Sequence, residues 1–277
     1  MGAAQALLEV LELEPSETGF LARSLATGTD VVFGGQLLAQ AVVAAARTVP
    51  AQEVKTLHGV FARAARPDAP LEFDVIPFHT GRTLSSLTIV ARQGDRRCAH
   101  FTVLMSASES DLVRHAARMP EVGEPDAAAE RPASLLAPGE LRVVGDVDVM
   151  DPDRVGPAEY AIWFRSPGLP KQLSIHQALL ADATDGHLIG TAMRPHPGVG
   201  QAMAHQSIQT GVVGHTLSFH DPIDLDEWHL IAHESPWAGR GRAHGRAHVF
   251  RQDGRLVASF VQDAILRSPG MGGDSAR

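Results

Sequence analysis

Two carboxylates in an apolar stretch are the first residues that could do chemistry. Residues 177–190 read QALLADATDGHLIG, which predicts a buried helix, yet the stretch carries Asp182 and Asp185. Removing a carboxylate from water is costly unless it is paired or hydrogen-bonded. One of the two could face solvent or cap the helix. If the other is buried, its raised pKa would suit a general base.

A pair of glycines and the glutamine after them form a second candidate site. Gly34 and Gly35 lie directly before the Ala-rich run 36–50, which predicts a helix buried on every side and ended by Pro50. Backbone N–H groups at the positive end of such a helix could bind a carbonyl or phosphate oxygen, with Gly35 and Gln36 as the contacts. A tight turn that needs small residues would explain the same glycines.

Histidine and arginine supply the other polar candidates. His58 lies on a predicted strand, where a satisfied core or interface residue is the alternative to a substrate contact. The run GRGRAHGRAHVFR at 239–251 is basic within an acidic chain. It could bind phosphate groups, chiefly through Arg240 and Arg242, or it could form a solvated strand edge.

Fourteen histidines raise the question of a metal site. His244 and His248 would share one face of a strand but lie ~13 Å apart, too far to bind one ion. The sequence has no HExxH motif and no cysteine cluster, and Cys98, the single cysteine, is expected to be a packing residue. No metal and no other cofactor is predicted. The absence of a GxSxG motif argues against an α/β-hydrolase mechanism.

The composition is that of a soluble globular protein of 277 residues, with 44% hydrophobic and 20% charged residues. A net charge of −8 and a pI near 5.9 argue against non-specific nucleic-acid binding. A single cysteine excludes an internal disulfide and fits a reducing cytosol. The first residues lack the basic start of a secretory signal, and no run reaches the ~20 apolar residues of a membrane helix. We therefore expect a cytoplasmic protein with no membrane partner.

Both halves of the chain show the same order of elements. In the first half, a short helix at 6–14 and the buried helix precede four alternating, strand-like runs, with a hairpin turn across RQGDR at 92–96. In the second half, strand-like runs precede a helical stretch at about 172–193 and four more strand-like runs. The segment between the halves is rich in Pro, Ala and charge, which indicates a linker.

An apolar helix followed by an antiparallel meander predicts a sheet that curls around the helix. Two such units side by side predict an α+β double hotdog, in which one curved antiparallel sheet wraps two long buried helices. We assign residues 1–110 to the N-terminal hotdog, 111–139 to the linker, 140–268 to the C-terminal hotdog and 269–277 to a flexible tail.

Six ordered segments resemble the acyl-CoA thioesterase II family. Three lie in each half of the chain: VFGGQLLAQAVVAAARTVP (32–50), LHGVFARAARPDAP (57–70), HTGRTLSS (79–86), HQALLADATDGHLIGTAMRPH (176–196), FHDPIDLDEWHL (219–230) and DGRLVASFVQDAILR (253–267). The resemblance runs from about residue 20 to residue 268. It implies a double-hotdog enzyme that hydrolyses fatty acyl-CoA to free fatty acid and CoA.

The resemblance also implies a catalytic set of an Asp, a Ser or Thr, and a Gln that together orient a water. By position in the segments, the Asp is Asp185 and the Gln is Gln262, whereas Asp182 is expected to face solvent or an arginine. The Ser or Thr position holds Val212, which has no hydroxyl. Thr210, ~7 Å away along the same predicted strand, is the candidate replacement.

Two functions remain open at this point. The first is an acyl-CoA thioesterase in which Asp185 activates a water that Gln262 orients. The second is a hotdog acyl-CoA binding or regulatory protein with weakened catalysis, for which Val212 is the observation. Hydratase chemistry ranks last, because Asp185 and His187 have the wrong spacing for it. The resemblance implies an acyl-CoA substrate and a homodimer or a dimer of dimers.

Overall fold

The first half of the chain forms two helices and six strands. The computed structural model describes residues 3–25, 27–131 and 139–269. Its first half contains α1 (Ala3–Val10), β1 (Glu14–Pro15), β2 (Gly19–Ala22), α2 (Gly34–Thr48), β3 (Glu53–Phe61), β4 (Leu71–Thr80), β5 (Leu84–Gln93) and β6 (Arg96–Ser106). The four predicted strands are β3 to β6, and the predicted hairpin joins β5 to β6 through Gly94, whose φ is 57°. The first helix begins and ends earlier than the predicted 6–14.

The second half repeats the order of helix and meander with extra short strands. It contains β7 (Ala129–Arg131), β8 (Glu140–Val143), β9 (Glu159–Arg165), α3 (Leu173–Ala183), α4 (Leu188–Met193), β10 (Gln209–Phe219), β11 (His229–Gly239), β12 (Arg242–Arg251) and β13 (Leu256–Arg267). The four strands predicted after the helical stretch correspond to β10 to β13. Alternating side chains and turn residues were sufficient to place them.

The 13 strands of the described residues belong to one sheet, in the order β1-β2-β4-β5-β6-β3-β10-β13-β12-β11-β9-β8-β7. β3 and β10 join the two halves as an antiparallel pair, in which His58 lies opposite Thr216 and Gly59 opposite His215. The sheet is therefore continuous from one half to the other, as the double-hotdog prediction requires.

The helices lie inside this sheet. Every residue of α2 from Gly35 to Ala45 is buried, and so is every residue of α3 from His176 to Ala183. Cys98 packs in the same core and is fully buried. The predicted fold, an α+β double hotdog with buried helices under one antiparallel sheet, is confirmed. No helix in the described part of the chain is long and apolar enough to span a membrane.

The second buried helix is shorter than predicted. The helical stretch expected at about 172–193 breaks between α3 and α4, where Thr184 is the C-cap of α3 and its hydroxyl donates to the Ala181 carbonyl (2.8 Å). Gly186 follows in the break and is a poor helix residue. As a result, Asp185 lies just past a helix end rather than inside a helix.

Part of the predicted linker is packed structure. The indole Nε1 of Trp163 donates to the Gly123 carbonyl (3.0 Å), and Met119 and Val122 pack on a small apolar cluster that contains Trp163 and Trp228. Further along, β7 pairs with β8 at the sheet edge. Residues 129–131 are thus a strand, although apolar and polar residues do not alternate there in the way that would predict one. The domain boundaries stay a prediction, and the tail from 270 lies outside the described residues.

Candidate active site

Asp185 lies where the end of α3 meets the start of α2. A Cβ added to Gly34 would lie 2.7 Å from Asp185 Oδ2, and one added to Gly35 would lie 2.5 Å from the Asp182 carbonyl oxygen. Only glycine allows the two helix ends to approach this closely. The contact brings the Gly35 N–H to the Asp185 carboxylate, to which it donates a hydrogen bond.

Gln262 completes the contacts of this carboxylate. It lies on β13, is 2% exposed, and donates from Nε2 to Asp185 Oδ1 across 3.1 Å. Its own carbonyl oxygen, Oε1, is buried and has no hydrogen-bond partner among the described residues. The structure therefore brings together the two residues that the sequence paired, and it leaves one acceptor beside them free.

Burial controls the ionisation of Asp185. The side chain is almost fully buried, and this desolvation raises its pKa from 3.8 to about 7, while the hydrogen bonds from Gly35 and Gln262 act in the opposite direction. A carboxylate with this pKa is substantially ionised at neutral pH and is a stronger base than an exposed one. The geometry thus provides a base that can accept a proton from a buried water.

His215 and Thr184 belong to the same cluster, and the sequence analysis missed both. His215 on β10 lies directly opposite Gln262 on β13, and its Nδ1 is 3.4 Å from Gln262 Nε2. Its Nε2 is 3.1 Å from Thr184 Oγ1. A β-bulge between Val212 and Gly214 shifts the register of β10 just before this pair. The glycine before His215 was the available signal for that bulge.

Thr210 does not join this cluster, contrary to prediction. It lies opposite Leu266, four residues beyond Gln262 and hence ~13 Å away along β13. Its hydroxyl is instead 3.5 Å from His205 Nε2. Val212, opposite Ala264, is also displaced from Gln262 by two residues.

Asp182 does not reach solvent or an arginine, also contrary to prediction. It is 1% exposed, and its Oδ2 has no hydrogen-bond partner among the described residues. Burial, reinforced by the nearby charge of Asp185, raises its pKa well above the ordinary value. Burial therefore favours the neutral form of Asp182, since a second buried charge beside Asp185 would be costly.

Comparison with known families is decisive for the chain as a whole. The model of the acyl-CoA thioesterase N-terminal domain matches residues 21–106, and that of the acyl-CoA thioesterase C-terminal domain matches residues 113–266. The chain belongs to the acyl-CoA thioesterase family. It is accordingly an acyl-CoA thioester hydrolase.

Individual relatives of this thioesterase cover almost its whole length. Acyl-CoA thioesterase 2 of Haemophilus influenzae is 30% identical over 94% of this chain and 96% of its own. Acyl-coenzyme A thioesterase 8 of Homo sapiens is 29% identical over 93% of this chain and 88% of its own. Among solved structures, an acyl-CoA thioesterase II from Mycobacterium marinum superimposes with a TM-score of 0.81 at 28% identity, covering 96% of this chain and 99% of that one.

The predicted substrate contacts of the thioesterase occupy three different environments. Gly35 is in the site, but its N–H donates to Asp185. Gln36 is turned away from the site, because its buried amide accepts from Leu25 N–H (2.9 Å) and donates to the Arg23 carbonyl (3.3 Å). Gln36 therefore secures the segment before α2, and the prediction that it contacts substrate is not supported.

His58 and the two arginines lie apart from the Asp185 cluster. His58 is exposed on the outer face of the sheet, where its Nδ1 is 2.7 Å from Thr216 Oγ1. Since strand neighbours alternate between faces and His215 points inward, His58 cannot join the site. Arg240 and Arg242 flank the turn between β11 and β12, and Arg242 lies opposite Ile265, three residues or ~10 Å from Gln262. Both lie at the end of the sheet beyond Gln262, here called the rim, and alternation places the Arg242 side chain on its outer face.

No cluster of metal ligands accompanies the thioesterase site. Within the ranges that the structure describes, no group of three or more His, Cys, Asp or Glu side chains could hold a metal ion. The groups that remain for chemistry are one carboxylate, one amide, one imidazole and one hydroxyl.

Proposed function

We propose that this thioesterase hydrolyses fatty acyl-CoA with Asp185 as general base and Gln262 as the residue that orients the attacking water. The water donates one proton toward the Asp185 carboxylate and the other toward Gln262 Oε1. As Asp185 takes the first proton, the water oxygen attacks the thioester carbonyl carbon and a tetrahedral intermediate forms. The carbon–sulfur bond then breaks, Asp185 returns the proton to the CoA sulfur, and free acid and CoA leave.

One observation carries the proposal: a buried carboxylate and a buried unpartnered amide oxygen lie side by side. Gln262 donates to Asp185 Oδ1 (3.1 Å) while its Oε1 accepts nothing from the described residues. A water needs two acceptors and a position near the base, and this pair supplies both. The raised pKa of Asp185, about 7, matches the base to neutral pH.

The start of α2 is suited to stabilise the negative charge that develops on the substrate. Its positive helix end lies at the carboxylate, and the Gly34–Gly35 approach keeps backbone N–H groups within the site. We assign Gly35 to the positive end of this helix, where its N–H holds the Asp185 carboxylate beside the reacting group.

The rim arginines are suited to the phosphates of CoA. The turn that carries Arg240 and Arg242 lies against Arg267: a Cβ added to Gly241 would lie only 3.4 Å from the Arg267 Cβ. Three guanidinium groups at one end of the sheet can bind phosphate through charge-assisted hydrogen bonds, which Lys would form less specifically. We further propose that the enzyme is cytoplasmic and assembles as a homodimer or a dimer of dimers.

Release of CoA thiol from acyl-CoAs of short to long chains tests the proposal. The wild-type protein is compared with Asp185→Asn and Gln262→Ala, with His58→Ala as the matched control on the outer face. We expect release to be lost in Asp185→Asn, to fall by about 100-fold in Gln262→Ala, and to be unchanged in His58→Ala. Full activity of Asp185→Asn would reject Asp185 as the base.

A further inference from the structure

We infer that His215 is a positioning residue that fixes the direction of the Gln262 side-chain amide. The inference rests on the proposed function, in which Gln262 Oε1 must face the attacking water. It concerns the orientation of the Gln262 amide, which can face the Asp185 carboxylate with either its NH2 group or its oxygen.

Thr184 sets the tautomer of His215. The Thr184 hydroxyl donates its only hydrogen to the Ala181 carbonyl across 2.8 Å. Toward His215 Nε2, 3.1 Å away, the Thr184 oxygen can then only accept. The hydrogen of the neutral imidazole must therefore be on Nε2, which leaves the Nδ1 lone pair as an acceptor.

This lone pair determines how Gln262 is oriented. The Gln262 NH2 group has two hydrogens and two acceptors within reach, Asp185 Oδ1 at 3.1 Å and His215 Nδ1 at 3.4 Å. A flipped amide would place its oxygen against both acceptors and would lose both hydrogen bonds. The observed orientation therefore directs Oε1 away from them, and Oε1 is the buried atom without a partner.

The surroundings keep His215 in the required state. Its ring stacks on Phe260 with centroids 5.5 Å apart and an interplanar angle of 20°, which fixes the ring plane. The residue is 1% exposed, and burial, assisted by the charge of His58, lowers its pKa to about 3. The imidazole is neutral over the whole working range of Asp185, so its Nδ1 never becomes a donor that would turn the amide around.

Two substitutions separate this role from simple packing. His215→Phe preserves the aromatic ring on Phe260 but removes the acceptor. His215→Asn places an amide oxygen close to the position of Nδ1 and restores the acceptor. We expect His215→Phe to lower kcat by about 100-fold at nearly constant KM, as for a mispositioned reacting group, and His215→Asn to recover most of the loss. His229→Phe, another fully buried histidine at the far end of β11, is the matched control and should leave kcat unchanged.

The same substitution in a Gln262→Ala background is decisive. If His215 acts through Gln262, His215→Phe has no further effect there. An equal fall in kcat in both backgrounds would overturn the inference, and so would a folded His215→Phe enzyme with wild-type kcat or a His215→Asn enzyme as impaired as His215→Phe. Asp185→Asn, assayed in parallel, distinguishes this failure from that of the proposed function, which is rejected only if Asp185→Asn remains active.

Discussion

Replacing Asp185 with Asn should make the enzyme more stable at alkaline pH while removing its activity. Asn has nearly the same shape but cannot ionise, so it avoids the cost of a buried charge. Burial raises the pKa of Asp185 from 3.8 to about 7. At 1.36 kcal/mol for each tenfold change in the ionisation constant, this rise corresponds to about 4 kcal/mol of destabilisation once the folded protein is fully ionised.

The sign of the effect follows from the direction of the shift. Because the folded pKa lies above the unfolded one, the folded state binds the proton more tightly. The contribution of Asp185 to the free energy of unfolding of the wild type is fully present below pH 3.8 and is lost as the pH rises through about 7. Between pH 5 and pH 8 the loss amounts to about 2–3 kcal/mol. Asn also loses an acceptor for the Gly35 N–H or Gln262 amide, but this loss is the same at both pH values.

Urea unfolding of wild type and Asp185→Asn at pH 5 and pH 8 measures this difference. We expect the stability of the variant relative to wild type to increase by about 2–3 kcal/mol between the two pH values. Asp74→Asn is the control, because hydrogen bonding to Arg92 lowers the pKa of Asp74 and its stabilisation is lost only as the pH falls through that lowered value. The change in the free energy of unfolding that Asp74→Asn causes should be equal at pH 5 and pH 8. A constant effect for Asp185→Asn as well would refute the view that a buried charge forms at this site.

Three further outcomes follow from the same geometry. The kcat/KM of wild type should rise with pH through an apparent pKa of about 7, as Asp185 becomes ionised; a flat profile from pH 5 to 8 would contradict it. Gly34→Ala should lower kcat more than 10-fold in a protein that still folds, because its Cβ would lie 2.7 Å from Asp185 Oδ2. Arg240→Ala and Arg242→Ala should raise KM for acyl-CoA by a few-fold at constant kcat, and more at low salt; equal loss of kcat would argue against a rim role.

The periodicity of the apolar residues and the amino-acid composition were sufficient to predict most of the fold. The buried helix of the first half appears where the Ala-rich run predicted it, because a segment that is apolar on every side can only be stable inside the core. The strands of both meanders follow from alternation for the same reason. The break after α3 was missed, although the polar residues Thr184 to His187, with Gly186 among them, interrupt the apolar residues there.

The site was harder to predict because its geometry depends on register. Asp185 and Gln262 are 77 residues apart, and the resemblance rather than any local pattern paired them. Counting two residues along a regular strand places Thr210 on the same face as Val212. In the structure Thr210 lies opposite Leu266 and His215 lies opposite Gln262, on either side of a bulge after Val212. Bulges depend on the partner strand, so one sequence segment does not contain the information that locates them.

The features that weaken the core at this site are the ones that the reaction requires. The Asp185 carboxylate is removed from solvent, and Gln262 Oε1 is buried without a hydrogen-bond partner among the described residues. A fold selected for stability alone would exclude both features. The α2 N-terminus offsets part of this cost, because its positive end and the Gly35 N–H face the carboxylate. Full compensation would return the pKa of Asp185 to its ordinary value and make the carboxylate a poor base. The glycines allow the two helix ends to approach closely, and this contact stabilises the carboxylate only in part. The carboxylate therefore remains basic.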